Sequence, residues 1–178
     1  DRSRGLGDVY KRQIIYNFMD LISHAKKDVR FIKEIANSDK AYRDLTLTWF
    51  KNSQLIETIK KSSELGYKII LTSDHGMINV FKPSKISGSK NISSNMRYKT
   101  SDQILAKPKD VIEFKNPNKI KLPSYSINSS FVFARSNSFF VYPNNYNEYV
   151  SMYKNTYQHG GVSMQEMFVP FLVMNPKL

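Results

Sequence analysis

The sequence predicts an α/β domain built on a mostly parallel sheet flanked by helices. Three observations carry that reading. An amphipathic stretch ends at Gly66 and is followed at once by the apolar run Tyr67–Leu71 (YKIIL), the helix, glycine, strand order of half a βαβ unit. A second apolar run, Phe168–Met174 (FVPFLVM), closes the chain. Between them Phe131–Ala134 and Phe139–Tyr142 flank a Ser-Asn-Ser turn and read as a hairpin.

Taken in order, the elements begin after an unusual start. Asp1–Gln13 (DRSRGLGDVYKRQ) has two glycines and no apolar periodicity, and then changes abruptly to IIYNFMDLISHA. The string resembles a translated sequencing adaptor, so residues 1–13 are expected to be a non-native tail and 14–178 the C-terminal part of a domain; a genuine N-terminal tail is the alternative. Ile15 and Tyr16 read as the end of a strand. Asn17–Lys27 carries Phe18, Leu21, Ile22 and Ala25 at helical spacing. From Ala41 to Leu65 a single amphipathic helix is expected, with Leu45, Leu47, Trp49, Leu55, Ile56 and Ile59 on one face and Glu57, Lys60, Lys61 and Glu64 solvated. Pro83–Pro123 is rich in Ser, Asn, Lys and Pro and reads as an irregular insertion with short strands at Ile104–Leu105 and Val111–Phe114. A helix follows over Asn145–Lys154. Ser163 and Glu166 have capping-box spacing, which predicts a short helix, and Pro170 marks the last strand as irregular or an edge.

Composition bounds the function. The chain has 178 residues, 40% apolar, with 11 Phe, 11 Tyr and one Trp, enough for a core without staples. It contains no cysteine, which excludes disulfides and thiol chemistry. No run of 18 apolar residues and no signal-type stretch occurs, so the expectation is a cytoplasmic protein with no membrane partner. Lys and Arg number 27 against 15 Asp and Glu, a net charge of +12 that falls to +10 without residues 1–13. The basic residues are spread along the chain, and they bias the choice of partner toward phosphate esters or nucleic acid.

Only three histidines occur, each beside other ligand-type or turn-type residues: Asp20-Leu-Ile-Ser-His24, Ser73-Asp74-His75-Gly76 and Gln158-His159-Gly160-Gly161. Asp20 and His24, four apart on a helix, project from one face and can meet one cation, although a surface hydrogen-bonded pair has the same spacing. Asp74 and His75 follow directly on the YKIIL strand, at the end where open α/β sheets place ligand sites, and Gly76 lets the chain turn away. His159 precedes two glycines that permit close backbone approach. Together these aspartates and histidines form a carboxylate and imidazole set suited to zinc or a similar divalent ion. Arg97, in the NMRYK segment with Tyr98 and Lys99, is a candidate for binding phosphate oxygens bidentately, with a solvated basic loop as the alternative. Asn79 and Asn95 could orient ligands, but asparagines are common in loops and neither is assigned a role.

Asp20-x-x-x-His24, Ser-Asp74-His75-Gly and His159-Gly-Gly-x-Ser-x-x-Glu, in that order, resemble the metal-binding signature of the alkaline phosphatase superfamily. The wording of NFMDLISHA, TSDHGMINV, NMRYK, YPNNYN and QHGGVSMQEMFVPF is similar to the PglZ-type output domain of PorX-like bacterial response regulators. The resemblance covers nearly everything after Gln13. It implies an alkaline-phosphatase-like sheet, incomplete at the N-terminus, and two divalent ions, zinc first among them. One ion would be held by Asp20, His24 and His159, the other by Asp74 and His75. An Asp and a Thr or Ser nucleophile would complete the second site from upstream of Ile14, so this chain alone is expected to be inactive. The resemblance further implies hydrolysis of phosphodiesters or phosphomonoesters, nucleotides or oligonucleotides foremost, and a homodimer formed through an upstream receiver domain. Two other readings remain open: a binding or signalling module whose metal site is structural or degenerate, and sulfatase or phosphomutase chemistry on the same scaffold.

Overall fold

A computed structural model of the chain describes residues 12–25, 38–88, 94–124 and 126–176, and for residues 23–25 the backbone alone. Most of the expected tail therefore lies outside the described residues. Helix α1 (Phe18–Ala25) forms where its periodicity predicts, and residues 12–17 lead into it without regular structure.

The long helix expected over Ala41–Leu65 is two helices, α2 (Asp39–Asn52) and α3 (Gln54–Glu64). Ser53 breaks them. Its backbone is extended (φ −91°, ψ 160°), its N–H closes α2 on the Phe50 carbonyl, and its hydroxyl accepts from Leu55 N to open α3. Ser38 caps α2 in the same way, accepting from Ala41 N at 3.2 Å.

The sheet differs from the expected one. Among the described residues the strands are β1 (Ile69–Thr72), β2 (Ile78–Val80), β3 (Lys82–Gly88), β4 (Tyr98–Ser101), β5 (Ile104–Ala106), β6 (Val111–Phe114), β7 (Ser130–Ala134), β8 (Ser138–Val141), β9 (Thr156–Gln158) and β10 (Phe171–Met174). They form two pairs, β1-β10 and β2-β9, and two three-stranded sheets, β5-β3-β8 and β4-β7-β6. Among these pairings β3 with β8 is parallel and the rest are antiparallel, so the mostly parallel sheet is corrected to a mixed, mainly antiparallel one. The YKIIL strand is the main cause. β1 pairs antiparallel with the C-terminal β10, and both are partly exposed: Ile70 is 55% and Phe171 68% accessible. An unbroken apolar run fits a doubly covered parallel strand, but nothing in it fixes the direction of its partner.

Between Pro83 and Pro123 the described residues form strands β3, β4, β5 and β6 in place of the expected irregular insertion with two short strands. β3 and β4 are written in Lys, Ser, Thr and Pro, and polar residues on them are buried with partners: Ser84 Oγ donates to Asp110 at 3.1 Å. β7 and β8 exist as predicted, joined by a turn with Ser136 at φ 46°, yet they belong to different sheets. β8 is buried on both faces. Its Phe139 and Val141 pack with Ile78, Val80 and Tyr153 of helix α4 (Tyr146–Tyr153), while Phe140 packs with Ile86, Val111, Val132 and Ala134. The period of two thus splits one short strand between two cores.

Lys99 on β4 is fully buried, with its Nζ 4.6 Å from the centre of the Tyr142 ring, and burial pushes its pKa down from 10.5 to about 8. An unfolded chain holds that proton up to 10.5, so stability rises with pH between 8 and 10.5 and carries the full penalty below 8. Lys99→Met is therefore expected to stabilise the protein at pH 7 by about 1–3 kcal/mol, with a smaller gain at higher pH. Urea midpoints at pH 7 and 9.5 test this; a lower midpoint for the variant at pH 7 would show that the amine's contacts outweigh its burial.

Candidate metal centre

Three chain segments far apart in sequence meet at one point. Asp20 lies in the first turn of α1, His75 in the loop after β1, and His159 in the loop after β9. One potential ligand atom from each lies within 4.8 Å of the others. Asp20 Oδ1 is shielded from solvent and stands 3.9 Å from His159 Nε2. The imidazoles of His75 and His159 stack, with centroids 3.8 Å apart and planes at 9°, and each side chain is 28% accessible.

Local packing explains the meeting. α1 rests on β9 through Ile22, Tyr42 and Tyr157, with Tyr42 and Tyr157 rings 4.4 Å apart and Phe18 stacked on Trp49 at 4.4 Å. Tyr42 donates its hydroxyl to the Met19 carbonyl at 3.2 Å, next to Asp20. Burial, with the Asp20 charge adding to it, pushes the Tyr42 pKa up to about 12, so the phenol stays a donor. On His75, Nδ1 lies 3.0 Å from the Gly76 carbonyl. A carbonyl only accepts, so Nδ1 carries the proton and Nε2 keeps the lone pair a cation needs. Two imidazoles and a carboxylate are a donor set that fits a first-row divalent ion such as zinc.

The grouping differs from the expected partition. His75, paired with Asp74 on sequence, joins Asp20 and His159. Asp74 stands at the rim, 90% accessible, its Oδ1 accepting from His75 N at 3.0 Å and lying 3.8 Å from His75 Nε2. His24 closes α1, and its side chain lies outside the described residues.

Arg97 is corrected from a phosphate-binding candidate to a buried one. It is 0% accessible, its Nε and Nη2 donate to Glu166 Oε1 and Oε2 at 2.8 Å each, and its Nη1 donates to the Ser138 carbonyl. Lys99 from the same segment is buried as well. Sequence reading used Glu166 only as a helix cap, and that cap is real: α5 (Met164–Met167) starts with Ser163 and Glu166 bonding reciprocally. Burial raises the Glu166 pKa, but hydrogen bonds from Arg97 and Ser163, the Arg97 charge and the Gly161 N–H together hold it below 4.5. Asn95 links this network to the site, accepting from Arg97 N at 2.7 Å and donating to the His159 carbonyl at 3.4 Å. The Asn79 side chain bonds Tyr157 instead.

The glycines are required by contact. A Cβ on Gly76 would lie 2.0 Å from the Gln165 carbonyl oxygen, and one on Gly161 would lie 2.6 Å from Glu166 Oε2. Gly160 also has φ +97°, with Asn95 Nδ2 2.9 Å from where its Cβ would stand.

With this geometry in place, the chain can be compared with known families. The BREX system PglZ alkaline phosphatase-like domain matches residues 4–174. The chain belongs to the PglZ family. The match begins inside the stretch whose composition reads as a tail. No curated protein matches the chain. PglZ membership supports hydrolase chemistry on an alkaline-phosphatase-like scaffold, a class that usually uses divalent metals, and the Asp20, His75 and His159 cluster is the place in this chain suited to one. Among the described residues no helix is long and apolar enough to cross a membrane.

Two variants probe the packing of this PglZ site. Gly76→Ala must move backbone atoms and is expected to cost about 2–3 kcal/mol, whereas Gly66→Ala, at φ +81° with open space around it, should cost about 1 kcal/mol from backbone strain alone. Equal costs in denaturant titrations would refute the clash. Glu166 has a lowered folded pKa, so its contribution is complete above 4.5 and is lost as pH falls through the folded value. Stability below pH 4.5 should accordingly fall more steeply in the wild type than in Glu166→Gln, as read from denaturant midpoints between pH 3 and 6.

Proposed function

We propose that the chain is the metal-holding part of a zinc-dependent phosphoester hydrolase acting on phosphodiesters or phosphomonoesters of nucleotide type. The observation that carries this reading is the convergence of Asp20, His75 and His159 within 4.8 Å, in a chain of the PglZ family. These three residues would hold one cation, with the carboxylate offsetting part of its charge and the Gly76 carbonyl fixing the His75 tautomer. A divalent ion bound there supplies Lewis-acid polarisation of a phosphoryl oxygen. Asn95 holds the His159 backbone, and the Tyr42 hydroxyl holds the Met19 carbonyl, so both ends of the tripod are anchored. Asp74, exposed beside His75, is the ligand proposed for a second ion, together with residues upstream of Ile14 that also include the Thr or Ser nucleophile. The net charge of +12 favours anionic substrates. An output role in a response regulator, dimerising through a receiver domain, belongs to the same proposal and is supported by the wording of the motifs.

Zinc titration of this chain is expected to give a bound equivalent that is lost in Asp20→Ala and in His159→Ala. In the chain extended by its natural upstream sequence, phosphodiester hydrolysis should stop on complete chelation and return with zinc. Hydrolysis that persists without metal would overturn the proposal. Zinc binding without turnover in the extended protein would instead support a binding module with a structural metal.

A further inference from the structure

We infer that the buried Arg97–Glu166 pair is a positioning device for the metal tripod: Glu166 holds the His159 loop through its carboxylate and the His75 loop through its backbone carbonyl, and so sets the affinity and ligand geometry of the cation. The inference rests on the proposed metal site and goes beyond it, since neither residue is a ligand.

Glu166 acts on the His159 loop through its side chain. Oε1 accepts from Arg97 Nε at 2.8 Å and Gly161 N at 2.9 Å; Oε2 accepts from Arg97 Nη2 at 2.8 Å, Ser163 N at 3.2 Å and Ser163 Oγ at 2.6 Å. A carboxylate offers about four lone-pair sites, so five donors saturate it and leave it a single orientation. Gly161 is two residues from His159. The residues that follow His159, Gly160 and Gly161, have no side chains to pack and so depend on these bonds and on Asn95 for their path.

Glu166 acts on the other loop through its backbone. Its carbonyl accepts from Gly76 N at 2.8 Å, immediately after His75, and the close approach of Gly76 to Gln165 leaves no room for that loop to shift inward. Arg97 anchors the carboxylate in turn. Its guanidinium is fully buried and reaches the Ser138 carbonyl at the start of β8, while its own carbonyl accepts from Ala134 N of β7 at 2.8 Å. Stability alone does not account for such a pair, because a buried ion pair is often no more stabilising than well-packed apolar residues of the same size. Fixing two loops against a rigid sheet does account for it.

The test uses cobalt(II) as the probe, on the full chain, with affinity read by chelator competition and geometry by the visible absorption of the bound ion. Glu166→Gln is expected to weaken cobalt binding by about 10–100-fold and to alter the absorption envelope, as loss of an outer hydrogen-bond partner does at metal sites. Ser163→Ala removes one donor and the helix cap, leaves the Arg97 pair intact and should weaken binding by a smaller factor, while its metal-free melting temperature falls by about 2–4 °C, the cost of a lost cap. Wild-type affinity and spectrum in folded Glu166→Gln would overturn the inference. Should Glu166→Gln fail to fold, the same result in Ser163→Ala would overturn it. Asp20→Ala separates the two levels: if it binds cobalt as the wild type does, or if the wild type binds none, the tripod itself is refuted and the positioning role with it.

Discussion

The bidentate pair of Arg97 and Glu166 is the interaction on which the rest of this structure turns. It ties the glycine loop after β9 to the two three-stranded sheets, met through the Ser138 and Ala134 backbone, alongside the core that Phe140 and Ile86 share with Val111, Val132 and Ala134. Breaking a buried pair by removing one partner strands an uncompensated charge and typically costs about 3–5 kcal/mol. Its position between sheet and loop means that this cost falls on the geometry of the site as well as on the fold.

The remaining scaffold follows a similar logic of polar groups buried with partners. β3 and β4 are rich in Lys, Ser and Thr, yet Ser84 of β3 and Lys99 and Ser101 of β4 are buried because the sheet satisfies their backbones and neighbours satisfy their side chains. Asp110 takes the Ser84 hydroxyl, and the Tyr142 ring faces the Lys99 amine. The apolar residues are concentrated on β7 and β8, which carry two cores on their opposite faces. In contrast, β1 and β10 form an antiparallel ribbon with much apolar surface accessible, and His75 follows directly on that ribbon.

The candidate metal ligands were easier to find in the sequence than their grouping. Asp20, Asp74, His75 and His159 stand out because the chain has only three histidines, each with an aspartate or a glycine within four residues. Which of them come together depends on how α1 packs on β9 and where the loop after β1 turns, and spacing along the chain does not encode either. Arg97 shows the opposite failure. A guanidinium in a basic segment looks like an anion binder, and only the fold reveals that a glutamate 69 residues away has taken it.

Local chemistry by itself determined α1, the capped helix at Ser163, α4 and the existence of β1, β5, β6, β7, β8 and β10, since periodicity, caps and turn residues act over a few residues. The same local signals also marked the metal-type ligands and pointed to the family. The break at Ser53 is also local, a serine capping both helix ends, whereas tertiary structure alone decided the regular strands hidden in the Ser- and Lys-rich middle, the antiparallel pairing of β1 with β10, and the meeting of Asp20, His75 and His159. Each of the latter depends on partners distant in sequence: strand direction on which edge is met, the burial of a lysine or arginine on what covers it, and a candidate ligand triad on one helix and two loops being fixed at once.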